Sequence, residues 1–407
     1  MARINTSYRK LAAGYLFPEI AKRTKLFQEK NPDVEIMRLG IGDTTEPLTE
    51  TVIKGLHDAV TALGTREGYS GYGDSEGNPE LRQAISAHYQ ACGADVSADD
   101  VFVSDGAKPD SSNIQSIFGT ENIVAVQDPA YPVYVDSNVI AGRSGEAVDG
   151  CYEGFVYMPC TSENGFFPDL PRSKVDLIYI CSPNNPTGAV ATREQLKGFI
   201  DYALKRRAVI LYDSAYSIYI QDDSLPRSIY EIDGARNCAI EFSSFSKSAG
   251  FTGVRLGWTI VPDEVTVEDT VAGEIKSLWT RRQNTFFNGA SNIVQAGGLA
   301  ALSDAGRSEM KELADFYMEN AAIIREGVQS VGIEAYGGEN APYVWMKTPG
   351  GIDSWSFFDK VLSECHVVGT PGAGFGPSGE GYFRLSAFGH RSNIETSVAS
   401  IHENLKL

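Results

Sequence analysis

From about residue 100 the chain alternates short, almost wholly apolar runs with longer stretches in which apolar residues recur at helical spacing. VFVSDG (101–106), NIVAVQDP (122–129), VDLIYICSP (175–183), AVILYDSAY (208–216) and CAIEFSSFSK (238–247) read as buried strands, each ending in polar residues or glycine. Between two of them lies REQLKGFIDYALKR (193–206), with helical spacing and charged ends. Strand, helix and strand in series imply parallel pairing through right-handed crossovers, with helices on both faces of the sheet. The predicted class is α/β with a mostly parallel central sheet. Ligands of such open sheets sit beyond the carboxyl ends of the strands, so the polar strand ends are the first site candidates. After about residue 300 the pattern changes to a long charged helix (304–330), then YVWMKTP, a helix near 353–364, YFRLSAF and a terminal helix. This predicts a second, smaller α+β domain joined by the N-terminal segment.

Composition removes several function classes. Hydrophobic residues are 42% and charged residues 22% of the 407, which excludes wholesale disorder. Lys plus Arg is 35 against 53 Asp plus Glu, and a net charge of -18 repels nucleic-acid phosphates and anionic lipid. Neither a polynucleotide nor a membrane partner is expected. Six scattered cysteines without C-x-x-C spacing encode neither a disulfide framework nor a zinc ribbon, and a reducing, cytoplasmic setting is expected. The first twenty residues lack an apolar stretch of roughly 7–15 residues, and no run approaches the about 18 needed to cross a bilayer. The chain is therefore expected to be neither exported nor inserted. No repeat of roughly 20–50 residues and no flexible linker composition is visible, so the domains should be tightly apposed.

The chemistry concentrates at strand ends. Lys247 closes the run AIEFSSFSK and would project into a glycine-rich turn; Ser243, Ser244 and Ser246 crowd it and Arg255 follows. By itself Lys247 reads as a surface lysine, but hydroxyls with a guanidinium fork suit a phosphate dianion. A lysine beside a phosphate site suggests pyridoxal phosphate, which binds proteins as a Schiff base and needs a carboxylate facing its ring nitrogen. Asp213, at the end of AVILYD, supplies that carboxylate, although a lone strand-end Asp is more often a cap or turn residue. CSPNNPTG (181–188) follows another strand; it is ordinary turn chemistry with Thr192 capping the next helix, yet it also places Asn185 to donate to the ring's phenolic oxygen. Tyr216 is a second donor. GFGPSG (374–379) fits the dinucleotide fingerprint in letters but sits between loop and strand, and S-x-x-K in SSFSK lacks the other serine-acylase elements. The five histidines show no metal-ligand spacing.

In their order, SPNNPTG, DSAY, SSFSK and G-x-R-L-G-W resemble fold-type I pyridoxal-phosphate aminotransferases over essentially the whole chain. More narrowly, GYLFPEI (14–20), LGIGDTTEPL (39–48), GYSGYG (68–73), VSDGAK (103–108), FSKSAGFTGVRLGW (245–258), FNGASN (287–292) and GFGPSGEGYFRLSAFG (374–389) are similar to LL-diaminopimelate aminotransferases. The resemblance implies a large cofactor domain over 48–295 and a small domain from 1–47 and 296–407 with an N-terminal arm. It implies that Lys247 forms the Schiff base and shuttles the proton, that Asp213 pairs with the pyridinium, and that Asn185 and Tyr216 bind the ring oxygen. Ser244, Arg255, Ala107 and Lys108 would hold the phosphate, Tyr131 would stack on the ring, and Tyr72 would reach the site of a partner subunit. Arg384 matches the clamp for the substrate α-carboxylate; Tyr15, Gly42, Lys108 and Asn288 match substrate or cofactor contacts, with Tyr131 and Asn185 also near substrate.

The implied reaction is amino transfer between glutamate and tetrahydrodipicolinate, giving LL-diaminopimelate and 2-oxoglutarate, by a homodimer with shared active sites acting on amino and keto acids. One position departs from the family: where it carries a glutamate for the substrate's distal amino group, this chain has Ser75, between Asp74 and Glu76. A same-fold aminotransferase for lysine or another long amino acid is the nearest alternative. A non-catalytic cofactor-binding sensor that acts on DNA fits the charge of -18 poorly.

Overall fold

The computed structural model describes residues 1–11, 16–148 and 150–406, and within them each of the five apolar runs contains a strand. These are Val101–Ser104, Val124–Asp128, Leu177–Cys181, Val209–Asp213 and Ala239–Ser244, joined by Phe155–Pro159 and Gly257–Ile260 into one seven-stranded sheet. The sheet runs in the order 101–104, 257–260, 239–244, 209–213, 177–181, 124–128, 155–159. All pairings are parallel except those of Gly257–Ile260, which lies antiparallel to both its neighbours. The continuous apolar character of the inner strands follows from burial on both sides. Leu177, Tyr179 and Cys181 pack into one core, and Ile178 and Ile180 into the other. The helix Arg193–Arg206 forms over the predicted residues; Thr192 accepts the Gln195 N–H at 3.2 Å and the Gln195 side chain reciprocates at 2.9 Å, a capping box.

Two local readings are corrected. The segment read as a glycine-rich turn contains the strand Gly257–Ile260, which separates Val101–Ser104 from the parallel strands. Its alternation is concealed because its polar side chain is also buried: Thr259 donates to the buried Asp110 carboxylate at 2.7 Å, a partner 149 positions away. Nor does Lys247 lie on the strand. Ser244 ends it by accepting the Ser246 N–H at 3.0 Å, and this N-cap turns the chain into the short helix Phe245–Ser248 that carries Lys247.

A four-stranded antiparallel sheet, Ala335–Gly337, Tyr343–Lys347, Tyr382–Ser386 and Thr370–Pro371, accompanies the long helix Asp304–Ser330 and the helices Ser354–Cys365 and Arg391–Asn404. The N-terminal segment joins this part: Met37–Arg38 pairs in parallel with Val367–Val368, and Ser386 donates its N–H to the Leu39 carbonyl at 2.7 Å. Residues 41–43 are thereby carried to the ends of the large sheet's strands, where they line the cavity described next. Among the described residues, no helix is long and apolar enough to cross a membrane.

Candidate active site

A cavity of about 490 Å³ opens at the carboxyl ends of the strands. Its floor comes from sheet register: Cys181 pairs with Asp213, and Gly257 pairs with both Ser104 and Ser244. Lys108, Lys247, Arg255 and Arg384 line it, against two carboxylates among the described residues, Asp43 and Asp213. Such a balance suits an anionic guest.

At one end the chain passes from Ser104 through Gly106 into the helix Ala107–Asn113. Gly106 has φ +139°, and a Cβ there would lie 2.7 Å from Arg255 Nη2, so glycine is needed both for conformation and for room. Arg255 itself sits at φ +72°, a costly conformation for a non-glycine residue, and enters none of the ion pairs among the described residues. The Ser244 hydroxyl, the Ser246 hydroxyl and the first residues of the helix face the same volume.

In the middle, Asp213 is buried, accepts the Tyr134 hydroxyl at 2.7 Å and the Ala215 N–H at 3.0 Å, and enters no ion pair among the described residues. Burial raises its pKa above the ordinary aspartate value, while these two donors pull it down. Lys247 donates to the Gly42 carbonyl, and its ammonium lies 5.3 Å from the Phe388 ring centroid. Burial lowers its pKa from 10.5 to about 8; Asp43 opposes that shift, and Arg384 and Arg255 add to it. A Cβ on Gly42 would collide with the Tyr343 hydroxyl, which is itself 2.9 Å from that of Tyr216. Lys108 holds its ammonium 5.5 Å from the Tyr131 ring centroid on the cavity wall.

At the far end Arg384 is 1% exposed yet has no carboxylate partner among the described residues. One Nη donates to Asn185 Oδ1 and the other to the Gly40 carbonyl, both at 2.6 Å, and Tyr343 and Phe375 flank it at 4.5 and 4.9 Å. Its Nε is buried without a partner. Because the Asn185 carbonyl is taken by Arg384, its amide N–H₂ is the end left to donate.

The family model for class I and II aminotransferases matches residues 34–401. The chain belongs to that family. Among solved structures, the aminotransferase is 49% identical to the L,L-diaminopimelate aminotransferase from Chlamydomonas reinhardtii, with 99% of this chain and 98% of that one covered and a TM-score of 0.94. Substrate-bound BacF from Bacillus subtilis (24% identity, 99% and 98% covered, TM-score 0.84) and the aspartate aminotransferase from Thermus thermophilus with maleate (22%, 99% and 99%, TM-score 0.83) share its fold. Class I aminotransferases use pyridoxal phosphate, and this chain is a pyridoxal-phosphate-dependent transaminase. The cavity fits that cofactor: it holds a buried carboxylate and a guanidinium that enter no ion pair among the described residues, a lysine with lowered pKa, and a glycine at Gly106 that leaves room beside Arg255.

Of the residues singled out from the sequence, Gly42, Ala107, Lys108, Tyr131, Asn185 and Asp213 line this one cavity, as do Tyr216, Ser244, Lys247, Arg255 and Arg384. Tyr72, 90% exposed, and Asn288, also exposed, do not. They lie on two loops that are tied together, Asn292 Nδ2 reaching Ser70 Oγ and the Gly71 carbonyl at 2.9 Å and Ser75 reaching Asn284. On the same surface Glu76 is paired with Arg82 at 3.3 Å, whereas Asp74 enters no ion pair among the described residues. Tyr15 lies outside the described residues. Tyr134, Tyr343 and Phe375, which orient Asp213 and Arg384, escaped the sequence reading because nothing in their spacing marks them.

Proposed function

We propose that this aminotransferase interconverts LL-diaminopimelate and 2-oxoglutarate with tetrahydrodipicolinate and glutamate. The observation that carries the reading is the 49% identity to an L,L-diaminopimelate aminotransferase over 99% of the chain. The site geometry supports the chemistry. When bound, pyridoxal phosphate supplies an aldehyde carbon that exchanges amino groups and a ring that withdraws electrons from the substrate's Cα.

In this reading Lys247 holds the cofactor between turnovers and, once freed, carries the proton to and from Cα; its lowered pKa leaves a minority of the amine neutral near physiological pH, far more than an ordinary lysine would have. Asp213, steadied by Tyr134, keeps a proton on the ring nitrogen. Asn185 and Tyr216 donate toward the ring oxygen, and Tyr131 packs on the ring. Ser244, Arg255 and the amides at Ala107 and Lys108 hold the phosphate. Arg384 grips the α-carboxylate common to every substrate, with Gly42 beside it. Tyr72, Asn288 and Tyr15 complete the site of a second subunit in a homodimer, a reading supported by the exposure of Tyr72 and Asn288. The large domain over 48–295 and the small domain from 1–47 and 296–407 with its N-terminal arm form the two walls of the site.

The experiment is the visible absorption spectrum of the holoenzyme with one amino acid at a time and no keto acid. The band of the lysine-bound cofactor should disappear with LL-diaminopimelate and with glutamate, and persist with lysine and aspartate. Faster loss with lysine than with LL-diaminopimelate would replace this substrate assignment. A second result probes the phosphate cradle. Gly106→Ala should weaken cofactor binding by roughly tenfold or more, since a Cβ both meets Arg255 and is forced into a strained φ. Equal affinity in a fluorescence titration of the cofactor-free proteins would remove the cradle from the proposal.

A further inference from the structure

We propose that a second cavity, of about 500 Å³, is a binding site for a small aromatic monocarboxylate distinct from the substrates of the transamination. It lies behind the cofactor pocket. Ala215 and Ser244 line both cavities, while Ser243, adjacent to Ser244 and therefore on the opposite face of the strand, lines only this one. Its volume is in the range of roughly 300–1,000 Å³ typical of small-molecule sites.

The lining specifies the ligand's chemistry. Tyr89, Phe245 and Trp258 form an aromatic floor whose polar atoms are already satisfied: Trp258 Nε1 donates to the Tyr89 hydroxyl at 3.1 Å, and that hydroxyl donates to the buried Glu241 at 2.8 Å. What remains toward the cavity is apolar: the narrow exposed edges of these otherwise buried rings, continued by Ile218, Ile220, Leu302 and Met310. The charged residues at the rim mostly cancel, with Arg227 paired to Asp223 at 2.9 Å and Lys311 to Asp315 at 2.6 Å. Arg307 is different. Its Nε donates to the Leu302 carbonyl at 2.9 Å, and among the described residues it enters no ion pair, so its terminal nitrogens carry one uncompensated positive charge. His88 beside it is held neutral, because burial and Arg307 lower its pKa to about 4. One fork-shaped cation over an aromatic floor is complementary to a flat apolar ring bearing one carboxylate.

The test is isothermal titration of the holoenzyme with 2-naphthoate in the presence of saturating 2-oxoglutarate, which occupies the Arg384 site. One saturable site per chain is expected. Arg307→Ala should weaken binding roughly tenfold or more, as loss of a charge-assisted pair does. Ser217→Phe, in the surface turn Ser217–Tyr219 on another wall, should abolish binding by filling the cavity. Displacement of 2-naphthoate by 2-oxoglutarate, absence of saturable heat, or full affinity in either folded variant would overturn the proposal.

Discussion

Lys247→Ala is expected to abolish transamination while leaving the fold in place. Proton transfer by a positioned side chain contributes roughly 10²–10⁴-fold, and this lysine also anchors the cofactor, so the loss should reach at least the upper part of that range. Stability should survive because the structural bond at this position is made by the backbone: the Tyr219 hydroxyl donates to the Lys247 carbonyl at 2.7 Å, which alanine retains. Removing the side chain also relieves the desolvation of its ammonium group. Single-turnover measurements alongside a melting curve check both halves, and near-normal turnover would sink the mechanism. The same burial makes a statement about pH. Since desolvation lowers the amine's pKa from 10.5 to about 8, the neutral, nucleophilic form appears as pH rises through about 8. Labelling of Lys247 by an amine-acylating reagent in the cofactor-free protein should therefore show a midpoint near 8, and a midpoint near 10.5 would contradict the burial argument.

Arg384→Lys should damage every amino-acid substrate alike. Lysine keeps the charge but cannot reproduce a planar fork that meets a carboxylate while also bonding Asn185 and Gly40. Loss of one charge-assisted hydrogen bond of about 1.5–3 kcal/mol corresponds to roughly ten- to hundredfold in kcat/KM. Glutamate and LL-diaminopimelate should suffer to similar extents, since both present the same α-carboxylate to the same guanidinium. A defect confined to LL-diaminopimelate would show that Arg384 reads the distal end instead. Asn185 is affected as well: without the fork its carbonyl loses a 2.6 Å partner, so its amide is less firmly aimed into the cavity.

The acidic cluster in YGDSEG is resolved only by the folded chain. In the sequence Asp74 and Glu76 are equivalent neighbours of Ser75, yet Glu76 is held by Arg82 and Ser75 by Asn284, which leaves Asp74 as the acidic group without an ion pair among the described residues. In the homodimer proposed above, its position on the surface that carries Tyr72 and Asn288 would make it the neighbour better placed to serve a second subunit's substrate.

The buried strands and the chemistry at their ends are legible in the amino-acid pattern alone. A strand covered on both faces needs an uninterrupted apolar run, and the run stops where the chain meets the cavity, so Asn185, Asp213 and the segment bearing Lys247 stand out as polar terminators. Local capping was legible for the same reason, since Thr192 and Gln195 act within one helical turn. Tertiary structure decided what those groups face. Arg384 meets Gly40 across 344 positions and Tyr134 meets Asp213 across 79. The strand Gly257–Ile260 exists because Thr259 finds Asp110 and because neighbours on both sides accept it antiparallel. Contacts between distant segments impose no period on the residues that make them, so only the folded chain could show that Arg384 is buried and forked toward Asn185, with no counter-ion among the described residues.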